Sequence, residues 1–145
     1  MAAMSDYLEN RIIDWLFRGQ TFTPPATLHV GLLTAAPNET GGGTEVAGNA
    51  YARVAVSSSL TNWAGTQAAA STVASTGTSG TTSNNGAIAF PTPTASWGTV
   101  GHFGVYDAAS GGNLMFYGAL NNAKTINVGD DVRFPISSLS VQIDN

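Results

Sequence analysis

Apolar residues near the start of the chain recur at the spacing of an amphipathic helix. The side chains that share this stripe are Leu8, Ile12, Trp15 and Leu16. Ser5 can cap the first turn, and Gly19 can end the last one. The pattern predicts a helix over residues 5–18. Its wide apolar face predicts packing on a sheet edge or on another subunit, with purely intramolecular packing as the open alternative.

Farther along the chain, short apolar runs alternate with Gly, Pro, Asn and Ser. The predicted strands are 27–33, 51–56, 87–90, 99–106, 113–120, 124–128, 132–136 and 139–143. Residues 107–112 are predicted to form a hairpin connection, so the flanking strands 99–106 and 113–120 should pair antiparallel. The pattern predicts a mainly β fold, an antiparallel β-sandwich or jelly-roll-like domain with one N-terminal α-helix.

Two segments interrupt this pattern. Residues 37–50 contain Pro, Asn and several Gly, which predicts an exposed contact loop. Residues 65–85 are rich in Ser, Thr, Ala and Gly and lack aromatic and charged side chains. They predict either a mobile excursion or an arm that becomes ordered against a neighbour. The length predicts a single β domain over 1–145, with a strand-dense part over 86–145.

Only 10% of the residues are charged, compared with roughly 25% in an ordinary domain. A neutral surface suits burial against copies or neighbours, although a secreted monomer with a Ser/Thr-rich coat is the alternative. The net charge is −4 and the cations are dispersed, so we expect no nucleic-acid binding. The acidic N-terminus and short apolar runs predict neither a signal peptide nor a membrane span. We therefore expect assembly in a cytoplasm.

No chemical motif emerges from the titratable residues. His29 and His102 lie in predicted strands without a carboxylate or a second histidine at ligand spacing. Asp130 and Asp131 sit beside Gly129, where turn geometry explains them, and a calcium site would need more oxygen ligands. The chain has no cysteine and no nucleophile or metalloprotease motif. We predict no catalytic residue, metal or cofactor.

Aromatic residues are the remaining candidates for contacts. The candidate interface residues are Tyr7, Trp15, Phe17, Trp63, Trp97, Tyr106 and Tyr117. Trp63 and Trp97, with Tyr51, Tyr106 and Tyr117, could instead form a platform for a sugar, but packing in a core or an interface is the commoner role of such rings.

Several stretches together resemble a family of small tailed-phage virion proteins, often labelled tail-fibre or structural proteins. They are Tyr7–Gly19, Pro25–Thr34, Tyr51–Val54, Ala89–Gly98 and Phe103–Asp107. The resemblance covers most of the chain outside residues 65–85. It implies a structural protein of a phage virion, assembled in the host cytoplasm.

Within a virion, the short chain and its arm-like segments favour a capsid decoration or cement protein that stabilises the head shell. We then expect a homotrimer bound to the major capsid protein or to another virion protein. The alternative is a tail-fibre or tail-tip module that binds a host surface glycan through Trp63, Trp97 and the loop 37–50. A hydrolytic enzyme is a third class, for which we expect no activity.

Overall fold

A computed structural model describes residues 2–143. Within that range the chain forms one helix, α1 (Asp6–Phe17), and ten strands. The strands are β1 (Ala3–Met4), β2 (Thr27–Ala35), β3 (Thr44–Glu45), β4 (Val54–Ser57), β5 (Thr81–Ser83), β6 (Ile88–Ala89), β7 (Gly98–Tyr106), β8 (Leu114–Ile126), β9 (Arg133–Phe134) and β10 (Ser140–Gln142). Residues 1, 144 and 145 of the predicted single domain lie outside the described residues.

Helix α1 begins and ends as its local sequence predicts. The Ser5 hydroxyl accepts a hydrogen bond from the Leu8 N–H at 3.3 Å, and Ser5 itself is extended. Gly19 adopts a φ of 66°, and the Gln20 N–H donates to the Asp14 carbonyl at 3.0 Å. This bond closes the last turn, which a glycine in the left-handed region allows.

The main sheet has six strands, in the order β1-β8-β7-β2-β3, with β4 also paired to β2. Strand β2 lies at its centre, antiparallel to β7 on one side and to β3 and β4 on the other. Because side chains alternate along a strand, Val30 and Leu32 share one face while Gly31 and Leu33 share the other. Both faces are covered at this point, since these four residues are buried.

Two short antiparallel ribbons, β5–β10 and β6–β9, lie outside the main sheet. The hydrophobic core joins them to one face of the sheet. Its residues are Ala2, Val30, Leu32, Val46, Ile88, Phe90, Trp97, Val100, Phe103, Val105, Ile126, Leu139 and Val141. The antiparallel, mainly β architecture with one helix is confirmed, and it is consistent with a β-sandwich.

The strand boundaries correct the sequence-based prediction in two places. The runs predicted at 113–120 and 124–128 form one strand, β8, so Asn121 and Asn122 do not separate two strands. Between the pairs Val100–Lys124 and His102–Ala119, β8 contains three more residues than β7. These extra residues form a bulge, which accommodates Asn121 and Asn122 within the strand. Strand β4 starts at Val54, later than the predicted 51–56.

Both interrupting segments carry more structure than their composition predicts. In the loop 37–50, Thr44 and Glu45 pair with β2, and Val46 is buried in the core. In the segment 65–85, residues 81–83 form β5 and Asn84 is completely buried. The composition of each segment does not predict these strand pairings, because the partner strands lie in distant parts of the chain.

Candidate interaction surfaces

The last turns of α1 expose large apolar side chains. Ile13, Trp15, Leu16 and Phe17 each keep between 49% and 77% of their surface accessible. Ile13, Leu16 and Phe17 share one side of the helix at i, i+3 and i+4 spacing, and we call these three residues the helix face; Trp15 lies on the opposite side. With about 150–250 Å² for a whole aromatic side chain, the helix face exposes on the order of 350 Å² of apolar area. That value lies within the range for the largest patch on a monomer, roughly 300–600 Å².

The helix face is exposed because α1 is attached to the sheet mainly through its first turn. Leu8 is its one buried residue. The Ser5 hydroxyl donates to the Leu114 carbonyl, and the Asp6 N–H donates to the Glu39 carbonyl at 2.9 Å. Beyond this anchor the helix leaves β8, so its later apolar residues have no large packing surface.

The seven aromatic candidates fall into different environments. Trp15 and Phe17 are both exposed near the end of α1, Phe17 on the helix face and Trp15 on the opposite side. Tyr7 is half-buried in the first turn, with the Arg11 guanidinium 5.3 Å from its ring centroid. Trp63 and Tyr117 are also half-buried, on other elements.

Trp97 and Tyr106 are core residues, only 6% and 8% exposed. The Trp97 indole N–H donates to the Asn49 carbonyl at 3.0 Å, so Trp97 contacts the loop 37–50 from the interior of the protein. Its ring packs edge-on against Tyr51 at 5.3 Å between centroids. The fold therefore does not expose a sugar platform that includes Trp97 and Tyr106.

A polar cluster that the sequence analysis missed surrounds Arg53. Its guanidinium donates to both carboxylate oxygens of Glu45, at 2.8 Å and 2.7 Å, and to the Ala108 and Gly111 carbonyls at 2.8 Å each. The Arg53 side chain is only 7% exposed. The bidentate ion pair joins β3 to the residue before β4, and the two carbonyl bonds join Arg53 to the β7–β8 hairpin. Each charge of the pair is compensated by the other, as buried charges must be.

Tyr51 completes the cluster. Its hydroxyl donates to Glu45 Oε1 at 2.8 Å and accepts from the Leu32 N–H at 2.9 Å. Burial raises the pKa of the Tyr51 phenol far above its ordinary range, and the neighbouring Glu45 carboxylate adds to this. Burial also raises the pKa of Tyr106. Both phenols therefore stay neutral and serve structure.

A polar groove of about 570 Å³ lies beside this cluster. Its walls are the helix start with Tyr7, the loop residues 39–43 and the hairpin residues 111–113, and its floor contains Arg53 and Tyr106. Three carboxylates, Asp6, Glu39 and Glu45, line it together with Arg53 alone as cation, so the groove disfavours anionic ligands.

An apolar groove of about 360 Å³ lies on the other side of the molecule's main sheet, between the last part of β8 and residues 131–140. Its interior is formed by core side chains, among them Leu32, Phe103 and Leu139. The groove is also lined by three charged residues, Lys124, Asp131 and Arg133. Pockets of this size and lining are common binding sites.

The titratable residues singled out in the sequence show no metal arrangement. No group of three or more His, Asp or Glu side chains that could hold a metal ion exists among residues 2–143. His29 and His102 each have a buried Nδ1 without a hydrogen-bond partner there. Asp130 accepts from the Asn127 N–H at 2.8 Å, and Asp131 pairs with Arg133, which lowers the pKa of that carboxyl.

Comparison with known proteins places the chain in a phage family. A family described as podophage GP4 fiber I protein gp80 matches residues 3–142. The chain belongs to this family. The match supports the resemblance to small phage virion proteins and a structural role in the virion.

The family description favours the fibre alternative over capsid decoration. No curated protein matches the chain. Within the described residues, α1 is too short to cross a membrane and no other helix is present.

Proposed function

We propose that the chain is a structural subunit of a podophage fibre and that it associates with further copies of itself through the helix face. The observation that carries the proposal is the fibre-family match over residues 3–142. The exposed apolar residues of α1 supply the contact. Two such faces in contact would bury about 700 Å², which is small for a stable dimer and suits a contact repeated in a multi-copy assembly.

The low charge of the chain supports association. With 10% charged residues, copies repel each other weakly, and Asp14 and Arg18, which flank the exposed end of α1, pair with each other at 3.0 Å. From the sequence we expect a trimer, and the mass of the protein in solution gives the number of associated copies directly.

Light scattering on the purified chain tests the association. We expect a mass that is a multiple of 14.8 kDa. The double variant Leu16→Glu/Phe17→Glu should shift it to the single-chain mass, because two charges would be buried without partners. Val73→Glu is the matched control, since Val73 is equally exposed but lies in the segment 65–85. A wild-type chain that is monomeric at all concentrations would refute the contact.

Immunogold labelling of intact particles tests the location. An antibody against residues 37–50, most of which are exposed, should label fibres at the tail. Label spread over the head in many copies would instead support capsid decoration and contact with the major capsid protein.

Glycan binding by the fibre is a second candidate, favoured by the polar groove beside the loop 37–50. The excess of carboxylates in that groove suits neutral or amino sugars. A glycan array with the wild type and the variants Tyr7→Ala and Glu39→Gln tests it. Binding that both variants reduce supports this role, whereas binding that neither variant changes would exclude the groove.

A further inference from the structure

One edge of β8 is covered over only a small part of its length. Strand β1 pairs with it at Ala3–Tyr117 and Met4–Phe116. Among the described residues no strand pairs with this edge beyond Tyr117, although β8 continues to Ile126. A strand edge of this kind presents unpaired N–H and C=O groups and can accept a further strand.

The irregularity of β8 lies in this uncovered part. His102 pairs with Ala119, and Val100 pairs with Lys124, which leaves residues 120–123 of β8 without a partner in β7. Asn121, Asn122 and Ala123 are exposed. Bulged residues of this kind turn their backbone groups away from the neighbouring strand.

The apolar groove lies directly against this edge. Residues 119–122 of β8 line one side, and Val132, Arg133 and Phe134 line the opposite side. Strand β9 pairs only with β6 within residues 2–143. Two incompletely paired strands therefore border a groove whose interior is apolar. Ala2, at the start of β1, also lines it, so an added strand would continue the line that β1 begins.

The charge at the groove differs from that of the whole chain. Lys124 and Arg133 face a single carboxylate, Asp131, whereas the chain has a net charge of −4. Asp131 and Arg133 form an ion pair, and Lys124 takes part in none of the ion pairs of residues 2–143. An acidic side chain on a bound segment would complement Lys124.

We propose that this groove binds an extended segment of a different virion polypeptide, which adds to the β8 edge as a strand. Alternate apolar side chains of the segment would enter the groove, and an acidic side chain would lie against Lys124. The proposal rests on the fibre assignment, because it requires a second polypeptide in the particle. It names a contact that is separate from the helix face.

Photo-crosslinking in assembled particles tests the proposal. A benzoylphenylalanine in place of Asn122 should crosslink to another virion polypeptide, which mass spectrometry of the joined peptides identifies. The same group in place of Thr78, exposed in the segment 65–85, is the control and should give no such product. Adding Lys124→Glu to the position-122 variant should lower the crosslinked fraction about tenfold, the equivalent of losing one good charge contact.

Amide hydrogen exchange supplies the second measurement. Residues 119–125 should exchange more slowly in particles than in the isolated chain if a strand is added there. A crosslink only to another copy of this chain, or unchanged exchange in particles that contain the chain, would overturn the proposal and leave the fibre assignment intact. Particles in which mass spectrometry detects no copy of the chain would overturn both.

Discussion

The guanidinium carbon of Arg53 lies 3.4 Å from the ring centroid of Tyr106. This distance places the cation directly over the ring face, where the aromatic quadrupole attracts it. The same guanidinium holds Glu45 and two backbone carbonyls. Arg53 thus connects β3, the residues before β4 and the β7–β8 hairpin, which form the floor of the polar groove.

We predict that Arg53→Lys lowers the free energy of unfolding by about 3 kcal/mol. A lysine is a point charge that cannot reproduce the bidentate bond to Glu45 or the stacking on Tyr106, and Glu45 would lose part of its compensation. Urea unfolding measures the change. Arg133→Lys is the control, because Arg133 pairs with Asp131 at the surface and should leave the stability nearly unchanged. Equal effects of the two variants would contradict a special role for Arg53.

Two glycines on facing strands make room for this cluster. Gly31 and Gly104 are register partners on β2 and β7. A Cβ on Gly104 would lie 2.7 Å from the Tyr106 ring, and a Cβ on Gly31 would lie 2.8 Å from Glu45 Oε1. Neither position has a positive φ, so space rather than backbone conformation requires glycine there.

We predict that Gly104→Ala destabilises the fold by about 1–3 kcal/mol, because the Tyr106 ring would have to move away from Arg53. Thermal unfolding followed by circular dichroism measures the change. Gly86→Ala is the matched control, since nothing lies within 4 Å of its added Cβ. If Gly104→Ala and Gly86→Ala have the same Tm, the Tyr106 ring is not held where the structure places it.

How far the sequence predicts the structure depends on the range of the interactions involved. The helix follows from its own residues, Ser5 and Gly19, and most strands follow from local alternation. The helix face was also predictable, because its apolar stripe is wider than one short helix can bury. Trp15 and Phe17, which the sequence predicts as contact residues, are both exposed.

The rest depends on contacts between distant residues. Arg53 binds backbone atoms of residues 108 and 111, more than fifty positions away, and no local pattern marks it. Trp97 and Tyr106 are buried because distant strands close over them, so composition could not predict their burial. The apolar groove arises from the bulge in β8, which a sequence pattern shows only as an interruption at Asn121 and Asn122.

Asn84 offers a third test, because it joins the residues next to β6, β9 and β10. Its amide nitrogen donates to the Gly86 and Pro135 carbonyls at 2.7 Å and 2.8 Å, and its amide oxygen accepts from the Leu139 N–H at 2.9 Å. The residue is completely buried. Asn84→Ala leaves these backbone groups without partners and should lower the free energy of unfolding by about 2–4 kcal/mol.

Chemical denaturation compares Asn84→Ala with the exposed Asn122→Ala, which should be nearly neutral. Asn84→Asp is informative as well, because the carboxylate keeps the acceptor for Leu139 but loses both donors. We expect it to be destabilised at neutral pH. A stable Asn84→Asp chain would indicate that the two carbonyls do not need Asn84.

The raised pKa of Tyr51 predicts loss of stability in alkali. The unfolded phenol ionises near its ordinary pKa of about 10, whereas burial keeps the folded phenol neutral to much higher pH. Above pH 10 the folded chain therefore holds a proton that the unfolded chain releases, and the stability that is fully present below pH 10 falls as the pH rises. One such group lowers the free energy of unfolding by about 1.4 kcal/mol per pH unit.

Tyr51→Phe separates this effect from general alkaline damage. At pH 7 the variant should be less stable by about 1–2 kcal/mol, because the Leu32 N–H and Glu45 lose the hydroxyl between them. Above pH 10 the free energy of unfolding should fall less steeply for the variant than for the wild type, because unfolding of the variant releases one proton fewer. Tyr106 contributes to the slope in both chains. Urea unfolding between pH 8 and about 11.5 gives the two slopes. Parallel slopes for the two chains would mean that the Tyr51 hydroxyl ionises in the folded state as it does in water, and that the cluster around Arg53 is open to solvent.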